Sequence, residues 1–256
     1  MLDTKTFDAI APETTTPDTT TPDTTTPDTA APETEAPDAT PATWGGRTAT
    51  DYERALWQSL SGAAEPVTLY GEDGLVIRLE VGRYAAVADS VDRRLLEHCT
   101  GPTLDIGCGP GRLAAELARR GVPALGVDVA PVALLLARAS GATVLGRSVF
   151  DRLPAEGRWP HALLIDGNIG ISGDPAALLG RVKALLLPAG ATLTVETAPH
   201  EIDERHWLRP PGPTLGPAIP WARIGPSALR AIAESVGYRC VRDRVIEGRR
   251  FLHLGT

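Results

Sequence analysis

The chain has 256 residues, enough for one or two domains with a sizeable hydrophobic core, and its net charge of −7 comes from one end. Residues 1–43 hold nine acids and one base while the remainder holds 23 acids and 24 bases, so we expect no basic face for nucleic acid. Three cysteines without a CxxC pair argue against a disulfide framework and a metal site. The sequence has no signal-peptide pattern and no apolar stretch of membrane length, so we expect a cytoplasmic protein without a membrane partner.

The first predicted segment is an acidic tail over residues 1–43 that is rich in proline and threonine. A proline recurs every fifth residue, at positions 12, 17, 22, 27, 32 and 37. Such a segment buries too little apolar surface to offset the entropy of ordering it, so we predict that it is disordered. Two roles are open to it, a solvating tail and a tether that docks a protein partner.

Residues 44–100 are predicted to form an N-terminal helix, a β-hairpin and a lead-in helix. Thr50 and Glu53 have the spacing of a capping box, which begins a helix by satisfying free backbone N–H groups. Two apolar runs flank a glycine-containing turn at residues 71–74 and predict the hairpin. An apolar stripe within residues 87–99 predicts the lead-in helix.

Residues 101–256 alternate short apolar strands with amphipathic helices. The predicted strands are 103–106, 124–127, 143–145, 162–165 and 193–196, the helices between them are 112–120, 132–139 and 176–186, and a last helix at 227–236 precedes strands 238–244 and 249–253. This alternation predicts the α/β class, a parallel sheet with helices on both faces. Ligands of such sheets bind beyond the carboxyl ends of the strands.

The segment Leu104–Arg112 indicates a ligand site at the first of these strand ends. It has the pattern of a strand, a turn with glycines at 107, 109 and 111, and the start of a helix. The glycines allow positive φ angles and the close approach of a ligand. Asp105 lies at the mouth of the turn, and Pro110 removes one backbone donor. A carboxylate in that place suits a cationic ligand better than the pyrophosphate of a dinucleotide.

This DxGxGxG pattern closely resembles the first motif of the class I S-adenosylmethionine (SAM)-dependent methyltransferases, whose cofactor carries an ammonium and a sulfonium. The resemblance covers roughly residues 84–254 and is strongest at 104–112 and 124–128. It implies a Rossmann-like sheet of seven strands, mostly parallel with an antiparallel last strand. It also implies SAM as the cofactor and a SAM-binding methyltransferase domain over residues 101–256.

The resemblance gives roles to the ends of the second and third strands. Asp128 is expected to hold the cofactor ribose, since one carboxylate can accept hydrogen bonds from two neighbouring hydroxyls. The family commonly has an acid at the third strand end to contact the adenine amino group, and this chain has Ser148 there. Asp151 is the alternative source of that acid. Val149 or Phe150 is expected to cover the adenine ring, and Phe150 fits a core position equally well.

The end of the fourth strand holds the leading catalytic candidates. In the family this segment runs past the methionine end of SAM toward the methyl acceptor, so Asp166 and Asn168 are expected to act there, with an ordinary turn as the alternative. The proline-rich segment 197–224 is expected to be a long connection that caps the acceptor. His206, within it, is a candidate general base or a surface histidine.

The cofactor site implied by the resemblance lies along these strand ends. Its expected residues are Tyr84, Asp105, Gly107, Cys108, Gly109, Gly111, Arg112, Asp128, Val129, Ser148, Val149, Phe150, Asp166 and Gly167. The expected function is methyl transfer from SAM to an oxygen or nitrogen of a small molecule, with secondary metabolites as the suggested class. The alternatives are a methyltransferase-fold protein with other chemistry, such as a cyclisation, and a non-catalytic partner-binding subunit.

Overall fold

The computed structural model describes residues 43–44, 47–48, 50–60, 62, 66–72, 74–209 and 218–256. The predicted acidic tail lies outside these ranges except for Thr43. Within them, no helix combines the length and the apolar character needed to cross a membrane.

The N-terminal part contains short strands, a helix, a hairpin and two further short helices. In chain order these are β1 (Thr43–Trp44), β2 (Arg47–Thr48), α1 (Asp51–Ser59), β3 (Val67–Gly71), β4 (Val76–Leu79), α2 (Val81–Ala85) and α3 (Ser90–Leu95). The capping box predicted at Thr50 and Glu53 begins α1, where the N–H of Glu53 donates to Oγ1 of Thr50 at 3.2 Å. The lead-in helix is shorter than predicted, since α3 tightens into a 3₁₀ turn over Leu96–His98.

The remaining chain alternates strands and helices as predicted. The elements are β5 (Thr103–Ile106), α4 (Arg112–Arg119), β6 (Ala124–Asp128), α5 (Pro131–Ala139), β7 (Val144–Gly146), β8 (His161–Leu164), α6 (Pro175–Leu185), β9 (Thr192–Thr197), β10 (Asp203–Arg209), β11 (Ile219–Ile224), α7 (Pro226–Ser235), β12 (Arg239–Ile246) and β13 (Arg249–Gly255). Seven strands form one sheet in the order β12-β13-β9-β8-β5-β6-β7. Strands β5 to β9 run parallel, while β13 is antiparallel to both β9 and β12. The predicted seven-stranded, mostly parallel sheet is therefore confirmed.

The order of the strands in this sheet reverses at β5. The chain moves from β5 to β6 and β7 on one side, and then returns to β8 and β9 on the other. In doubly wound sheets such a reversal opens a crevice beyond the carboxyl ends of the strands. All four residues of β5 are buried, as expected for a central parallel strand. A ligand of this sheet is therefore expected beside the turn that follows β5.

A second sheet of four antiparallel strands has the order β11-β10-β3-β4. Strands β10 and β11 supply 13 of the 28 residues in the segment 197–224, so the expected long connection contains a pair of strands that the sequence did not predict. The prolines of the segment explain the error: Pro220 lies in β11, an edge strand, which tolerates a residue without a backbone N–H. The alternating burial along β10 is the pattern of a half-buried strand.

One face of the second sheet packs against α1 and α5. Leu56 of α1, Leu208 of β10 and Val132 of α5 are buried together in one cluster. Near the middle of the paired strands β10 and β11, Trp221 of β11 forms a β-bridge with Ile171, which lies in the segment after β8. These contacts fix the hairpin of β10 and β11 beside the crevice of the main sheet.

Candidate functional site

The glycine-rich turn between β5 and α4 has positive φ angles, 68° at Gly107, 54° at Gly109 and 82° at Gly111, as the sequence predicted. A Cβ atom at Gly107 would lie 2.7 Å from Nδ2 of Asn168, so this approach is closer than an alanine allows. The N–H of Gly107 donates to the carbonyl oxygen of Val127 at 2.9 Å. The turn is therefore held between the end of β6 and the segment after β8.

Asp128 lies at the carboxyl end of β6, beside this turn. Its Oδ2 accepts the backbone N–H of Gly109 at 2.8 Å, and its Oδ1 accepts that of Ala130 at 2.8 Å. Each carboxylate oxygen has a further lone pair, so the group keeps acceptor capacity for two hydroxyls. The next residue, Val129, is exposed and lines a cavity.

That cavity has a volume of about 550 Å³ and opens between the ends of β6 and β7. Its lining residues are Val129, Pro131, Leu134, Leu135, Arg138, Gly146, Arg147, Ser148 and Asp151. Ser148 and Asp151 share one turn, in which Phe150 N–H donates to Ser148 Oγ at 3.2 Å and Ser148 N–H donates to Asp151 Oδ2 at 3.0 Å. The two candidate acceptors therefore lie side by side. Val149 is buried, whereas Phe150 is 43% exposed, so the core alternative for Phe150 is wrong.

Asp166, two residues after β8, is held by arginine side chains. Arg112 donates to its Oδ2 through Nη1 at 2.5 Å, and Arg83 of α2 and Arg249 of β13 contact its Oδ1. Its own N–H donates to Oε2 of Glu196 at 2.7 Å, and its φ of 58° is uncommon outside glycine. Both carboxylate oxygens are therefore already engaged by guanidinium groups. These surroundings favour a positioning role for Asp166 over base catalysis.

Asp92 of α3 completes a buried ion network with the same arginines. It accepts hydrogen bonds from Nε of Arg112 at 2.7 Å and from Nη1 of Arg249 at 3.0 Å, and its side chain is 1% exposed. Burial favours the neutral carboxyl, but the hydrogen bonds and charges of the two arginines outweigh it and lower the pKa of Asp92 to about 2. Sequence reasoning missed Asp92 and Arg249, because they are 157 positions apart and neither belongs to a motif.

Asn168 fixes the segment after β8 to the glycine-rich turn. Its Nδ2 donates to the carbonyl oxygens of Ile106 and Gly107, both at 2.9 Å. It also begins a 3₁₀ turn, Asn168–Gly170, which leads to the contact with β11. Both sequence candidates at this strand end therefore lie next to the glycine-rich turn, Asn168 directly and Asp166 through Arg112.

Two buried polar atoms beside this network have no hydrogen-bond partner in the part of the chain that the structure describes, Oδ2 of Asp105 and Nη1 of Arg83. Burial raises the pKa of Asp105 to about 7, with the charge of Arg112 opposing the rise and those of Asp166 and Asp128 adding to it. An unpaired buried polar group costs about 1–3 kcal/mol. Because the two atoms belong to groups of opposite charge, they fit a zwitterionic ligand.

Tyr52 of α1 and Tyr84 of α2 approach the crevice from the N-terminal part. The hydroxyl of Tyr52 would lie 3.3 Å from a Cβ atom at Gly109, so α1 covers the glycine-rich turn. Burial, together with the charge of Asp128, raises the pKa of Tyr52 far above its usual value. Burial beside Asp166 raises the pKa of Tyr84 to about 12. The sequence predicted Tyr84 but not Tyr52, since a capping box marks where α1 begins and not what it covers.

His206 of β10 is buried in the second sheet, so the alternative of a surface histidine is wrong. Its Nε2 lies 2.9 Å from Oε2 of Glu204, which also accepts from Nη1 of Arg223 at 3.2 Å. His206 lies opposite Trp221 in the hairpin, and a Cβ atom at Gly170 would lie 2.6 Å from the indole Nε1. The hairpin therefore brings His206 toward the 3₁₀ turn that follows β8.

Across the described ranges, no group of three histidine, cysteine or acidic side chains is arranged to hold a metal ion. Cys99, Cys108 and Cys240 are free thiols. Burial raises the pKa of Cys108 well above its usual value, so this thiol of the glycine-rich turn is protonated. The site thus offers charged and hydrogen-bonding groups suited to an organic ligand.

Sequence comparisons find relatives for the segment that builds this site. Residues 103–190 match the family model of a methyltransferase domain. A ubiquinone biosynthesis O-methyltransferase of Dinoroseobacter shibae is 39% identical over 95 residues, which is 35% of this chain and 38% of that protein. Its counterpart in Cereibacter sphaeroides is 38% identical over 92 residues, 34% of this chain and 37% of that protein. The chain therefore matches less than two fifths of the length of these curated relatives.

Solved structures are similar over more of the chain. A SAM-dependent methyltransferase from Bacteroides fragilis, crystallised with S-adenosyl-L-homocysteine, has a TM-score of 0.66 at 17% identity and covers 79% of this chain and 93% of its own. A 1,6-didemethyltoxoflavin-N1-methyltransferase of Burkholderia thailandensis has a TM-score of 0.51 at 18% identity over 69% and 81% of the two chains. At these sequence identities, both similarities show a shared fold and no more.

Proposed function

We propose that this chain, whose residues 103–190 match the family model of a methyltransferase domain, is a class I SAM-dependent methyltransferase that transfers a methyl group from SAM to an oxygen or nitrogen atom of a small molecule. The observation that carries the proposal is that two buried atoms beside the glycine-rich turn, Oδ2 of Asp105 and Nη1 of Arg83, have no hydrogen-bond partner in the described chain. The methionine end of SAM has an ammonium and a carboxylate. These two groups would satisfy Asp105 and Arg83 respectively.

The rest of the crevice fits the remaining parts of SAM. Asp128 is fixed beside Gly109 with acceptor capacity for the two ribose hydroxyls. The cavity of about 550 Å³ has apolar side chains, Val129 among them, to cover the adenine ring. Ser148 and Asp151 offer acceptors for the adenine amino group.

The chain's own contribution to methyl transfer is alignment and the exclusion of water. SAM, when bound, supplies an electrophilic methyl group on its sulfonium. Tyr52 and Tyr84 would enclose the crevice from the N-terminal side, and Trp221 of the hairpin from the other. Asn168 and Asp166 would hold the segment along which the acceptor lies. Fixing the reacting atoms in line in a dry site is the main source of rate enhancement for such a displacement.

His206 is the proposed proton acceptor when the methyl acceptor is a hydroxyl. Its contact with Glu204 orients the ring. A neutral amine needs desolvation alone, because its lone pair is already free. The similarity to two ubiquinone biosynthesis O-methyltransferases supports an oxygen acceptor.

We propose three parts along the chain: an acidic tail over residues 1–43, the N-terminal helix, hairpin and lead-in helix over residues 44–100, and the methyltransferase domain over residues 101–256. The segment 197–224 is the proposed cap of that domain.

The proposed acceptor belongs to the secondary metabolites. The proposed location is the cytoplasm, with neither nucleic acid nor membrane as a partner. The charge of the tail supports contact with a protein partner.

Ligand binding and product formation test the function separately. Calorimetric titration of the full chain should show saturable binding of SAM and of S-adenosylhomocysteine. Arg83→Gln should weaken both by roughly tenfold, the scale of one charged hydrogen bond. Arg78→Gln is the matched control, because Arg78 is an exposed arginine of the neighbouring strand β4.

Incubation with SAM that carries a labelled methyl group should then label a hydroxylated or amine small molecule. If the wild-type chain binds neither SAM nor S-adenosylhomocysteine, the methyltransferase proposal is refuted. Binding without any labelled product would favour the alternatives, a cyclisation or a non-catalytic binding role.

A further inference from the structure

A basic cluster lies away from the crevice, on the edge strand β12. Arg242 and Arg244 both donate to Nε2 of His98, from Nη1 atoms at 3.3 and 2.6 Å. The ring of His98 lies edge-to-face with the ring of His253 in β13, with the centroids 5.2 Å apart. Two guanidinium groups therefore converge on one ring nitrogen.

Among the described residues, no carboxylate forms an ion pair with either of these two guanidinium groups. Glu97, the acid next to His98 in sequence, is exposed and forms no hydrogen bond or ion pair with either arginine. Burial, and then the charges of Arg244 and Arg242, lower the pKa of His98 against the opposing charge of Glu97, so its ring is neutral and accepts both hydrogen bonds. Two like charges held together without a counter-charge repel each other. The arrangement is electrostatically suited to an anion.

His253 adds a third hydrogen-bond donor to the cluster. It is 3% exposed, its Nδ1 lies 3.0 Å from Oγ1 of Thr194, and its buried Nε2 has no partner in the described chain. The hydroxyl of Thr194 is buried as well, so we assign its hydrogen to the acceptor that it contacts, Nδ1, and the ring hydrogen to Nε2. Burial lowers the pKa of His253 to about 4, which keeps the ring neutral. One buried N–H is therefore left without an acceptor.

We propose that Arg242, Arg244 and His253 form a binding site for a phosphate-type oxyanion, either inorganic phosphate or the phosphoryl group of a monoester. Donors from three side chains suit a tetrahedral group with three or four oxygens better than a planar carboxylate with two. In the structure, Nε2 of His98 accepts the two arginine hydrogen bonds that an oxygen of the anion would accept. The anion would replace it as acceptor when the His98 ring turns away from His253.

This site is separate from the proposed cofactor crevice. Arg249, which contacts Asp166 in the crevice, precedes His253 by four residues, a distance of about 13 Å along a strand. Phe251 lies between them, and the guanidinium of Arg249 is 5.2 Å from the centre of its ring. Anion binding at β12 is therefore not expected to compete with SAM, and its test is independent of the methyltransferase proposal.

Phosphate titration of the full chain tests the site. Calorimetry at neutral pH and constant ionic strength, with chloride as the compensating anion, should show saturable binding to the wild type. Arg242→Gln and Arg244→Gln should each raise the dissociation constant at least about tenfold, the scale of one charge-assisted hydrogen bond. Arg239→Gln is the matched control, because Arg239 is exposed on the same strand outside the cluster, and it should change the affinity by less than about twofold.

Nuclear magnetic resonance of the imidazole groups gives an independent readout in the wild-type chain. His253 should show its hydrogen on Nε2, and that signal should shift on addition of phosphate in the wild type but not in the double variant Arg242→Gln/Arg244→Gln. Methyl phosphate that binds as tightly as inorganic phosphate would show that the site accepts a monoester, and its failure to bind would restrict the site to inorganic phosphate. Absence of saturable binding by either, or equal affinity in the wild type and both arginine variants, would overturn the proposal.

Discussion

The carboxylate of Asp128 and the backbone N–H of Gly109 lie 2.8 Å apart, which joins the end of β6 to the glycine-rich turn. The same carboxylate accepts the N–H of Ala130, so both of its oxygens are oriented by the backbone alone. A group that is already oriented loses little conformational freedom when a ligand binds. We therefore expect Asp128 to act through its orientation as well as its charge.

Asp128→Ala should weaken the binding of SAM and S-adenosylhomocysteine alike by roughly ten- to a hundredfold, since a charged hydrogen bond is typically worth about 1.5–3 kcal/mol. Asp128→Asn should weaken it less, because the amide keeps one acceptor oxygen. Calorimetric titration of the purified variants gives both affinities, and the melting temperature checks that the fold survives. Normal affinity in Asp128→Ala would show that β6 does not hold the ribose.

Asp105 should make the affinity for SAM depend on pH. Burial raises its pKa to about 7, and only the ionised carboxylate attracts an ammonium. The affinity should therefore rise as the pH increases through 7, and be roughly tenfold weaker at pH 6 than at pH 8 because the binding-competent fraction changes by that factor. Calorimetry across this pH range measures it. Asp105→Asn is the control and should flatten the profile; an unchanged slope would assign the titration to another group.

The stability of the chain without SAM should change with pH in the opposite direction. Asp105 loses its proton near pH 3.8 in the unfolded chain and near pH 7 in the folded one. Between these values the folded chain binds more protons, so the free energy of unfolding contributed by Asp105 falls as the pH rises. Urea unfolding of the wild type and Asp105→Asn at several pH values isolates this contribution as their difference.

Asp92 should contribute strongly to stability. Asp92→Asn removes the more deeply buried of the two carboxylates that Arg112 and Arg249 share, and breaking a buried pair typically costs about 3–5 kcal/mol. Asp243→Asn is the control, because Asp243 pairs with Arg250 at a more exposed site, where a pair is worth about 1 kcal/mol or less. Urea unfolding measures both losses, and equal losses would contradict the structural role of the network.

The lowered pKa of Asp92 predicts how acid changes the stability of the fold. The pKa of Asp92 is lowered to about 2 from an unfolded value of 3.8, so its contribution to stability should be complete above pH 3.8 and lost as the pH falls toward 2. The difference in unfolding free energy between the wild type and Asp92→Asn should shrink over that range. A difference that stays constant down to pH 2 would show that charge pairing is not its source.

Gly170→Ala should displace the hairpin from the turn after β8. The added Cβ would lie 2.3 Å from the carbonyl oxygen of Ala222 and 2.6 Å from Nε1 of Trp221, so β11 must shift. Overpacking of this kind typically costs about 1–3 kcal/mol. Gly180→Ala is the control, because nothing lies within 4 Å of its Cβ and alanine favours the helix α6.

The kinetic readout of Gly170→Ala is the KM of the methyl acceptor, which should rise while the affinity for SAM holds. That pattern is expected if the hairpin shapes the acceptor side of the crevice. An equal loss of SAM affinity would place the hairpin against the cofactor instead.

The main sheet and half of the site could be predicted because their signals are local. The alternation of apolar strands with amphipathic helices identifies the elements, and the glycine pattern within residues 104–112 identifies the crevice. Asp128 and Asn168 were placed for the same reason, since each follows a strand whose end is visible in the sequence. The structure adds the backbone groups that hold them.

The remaining features depend on contacts between residues far apart in the chain. Arg249 reaches Asp92 and Asp166 because β13 returns beside β9, and no local pattern marks it. The hairpin of β10 and β11 was obscured by prolines such as Pro220, which a strand tolerates only at a sheet edge. Tyr52 belongs to an apolar cluster that joins α1 to α5. The capping box predicts where α1 begins, but it carries no information about such a tertiary contact.

Tyr52 lies over Gly109, so a molecule resting on the glycine-rich turn is enclosed by α1, a helix of nine residues whose Leu56 is fully buried. We therefore expect this helix to lift when the crevice is loaded and when it is cleared. When lifting is slower than methyl transfer, the turnover number measures how firmly α1 is held rather than the chemistry beneath it. Loosening α1 at Leu56 would then speed multiple turnovers while weakening retention of the spent cofactor, and the burst of a first turnover would disappear.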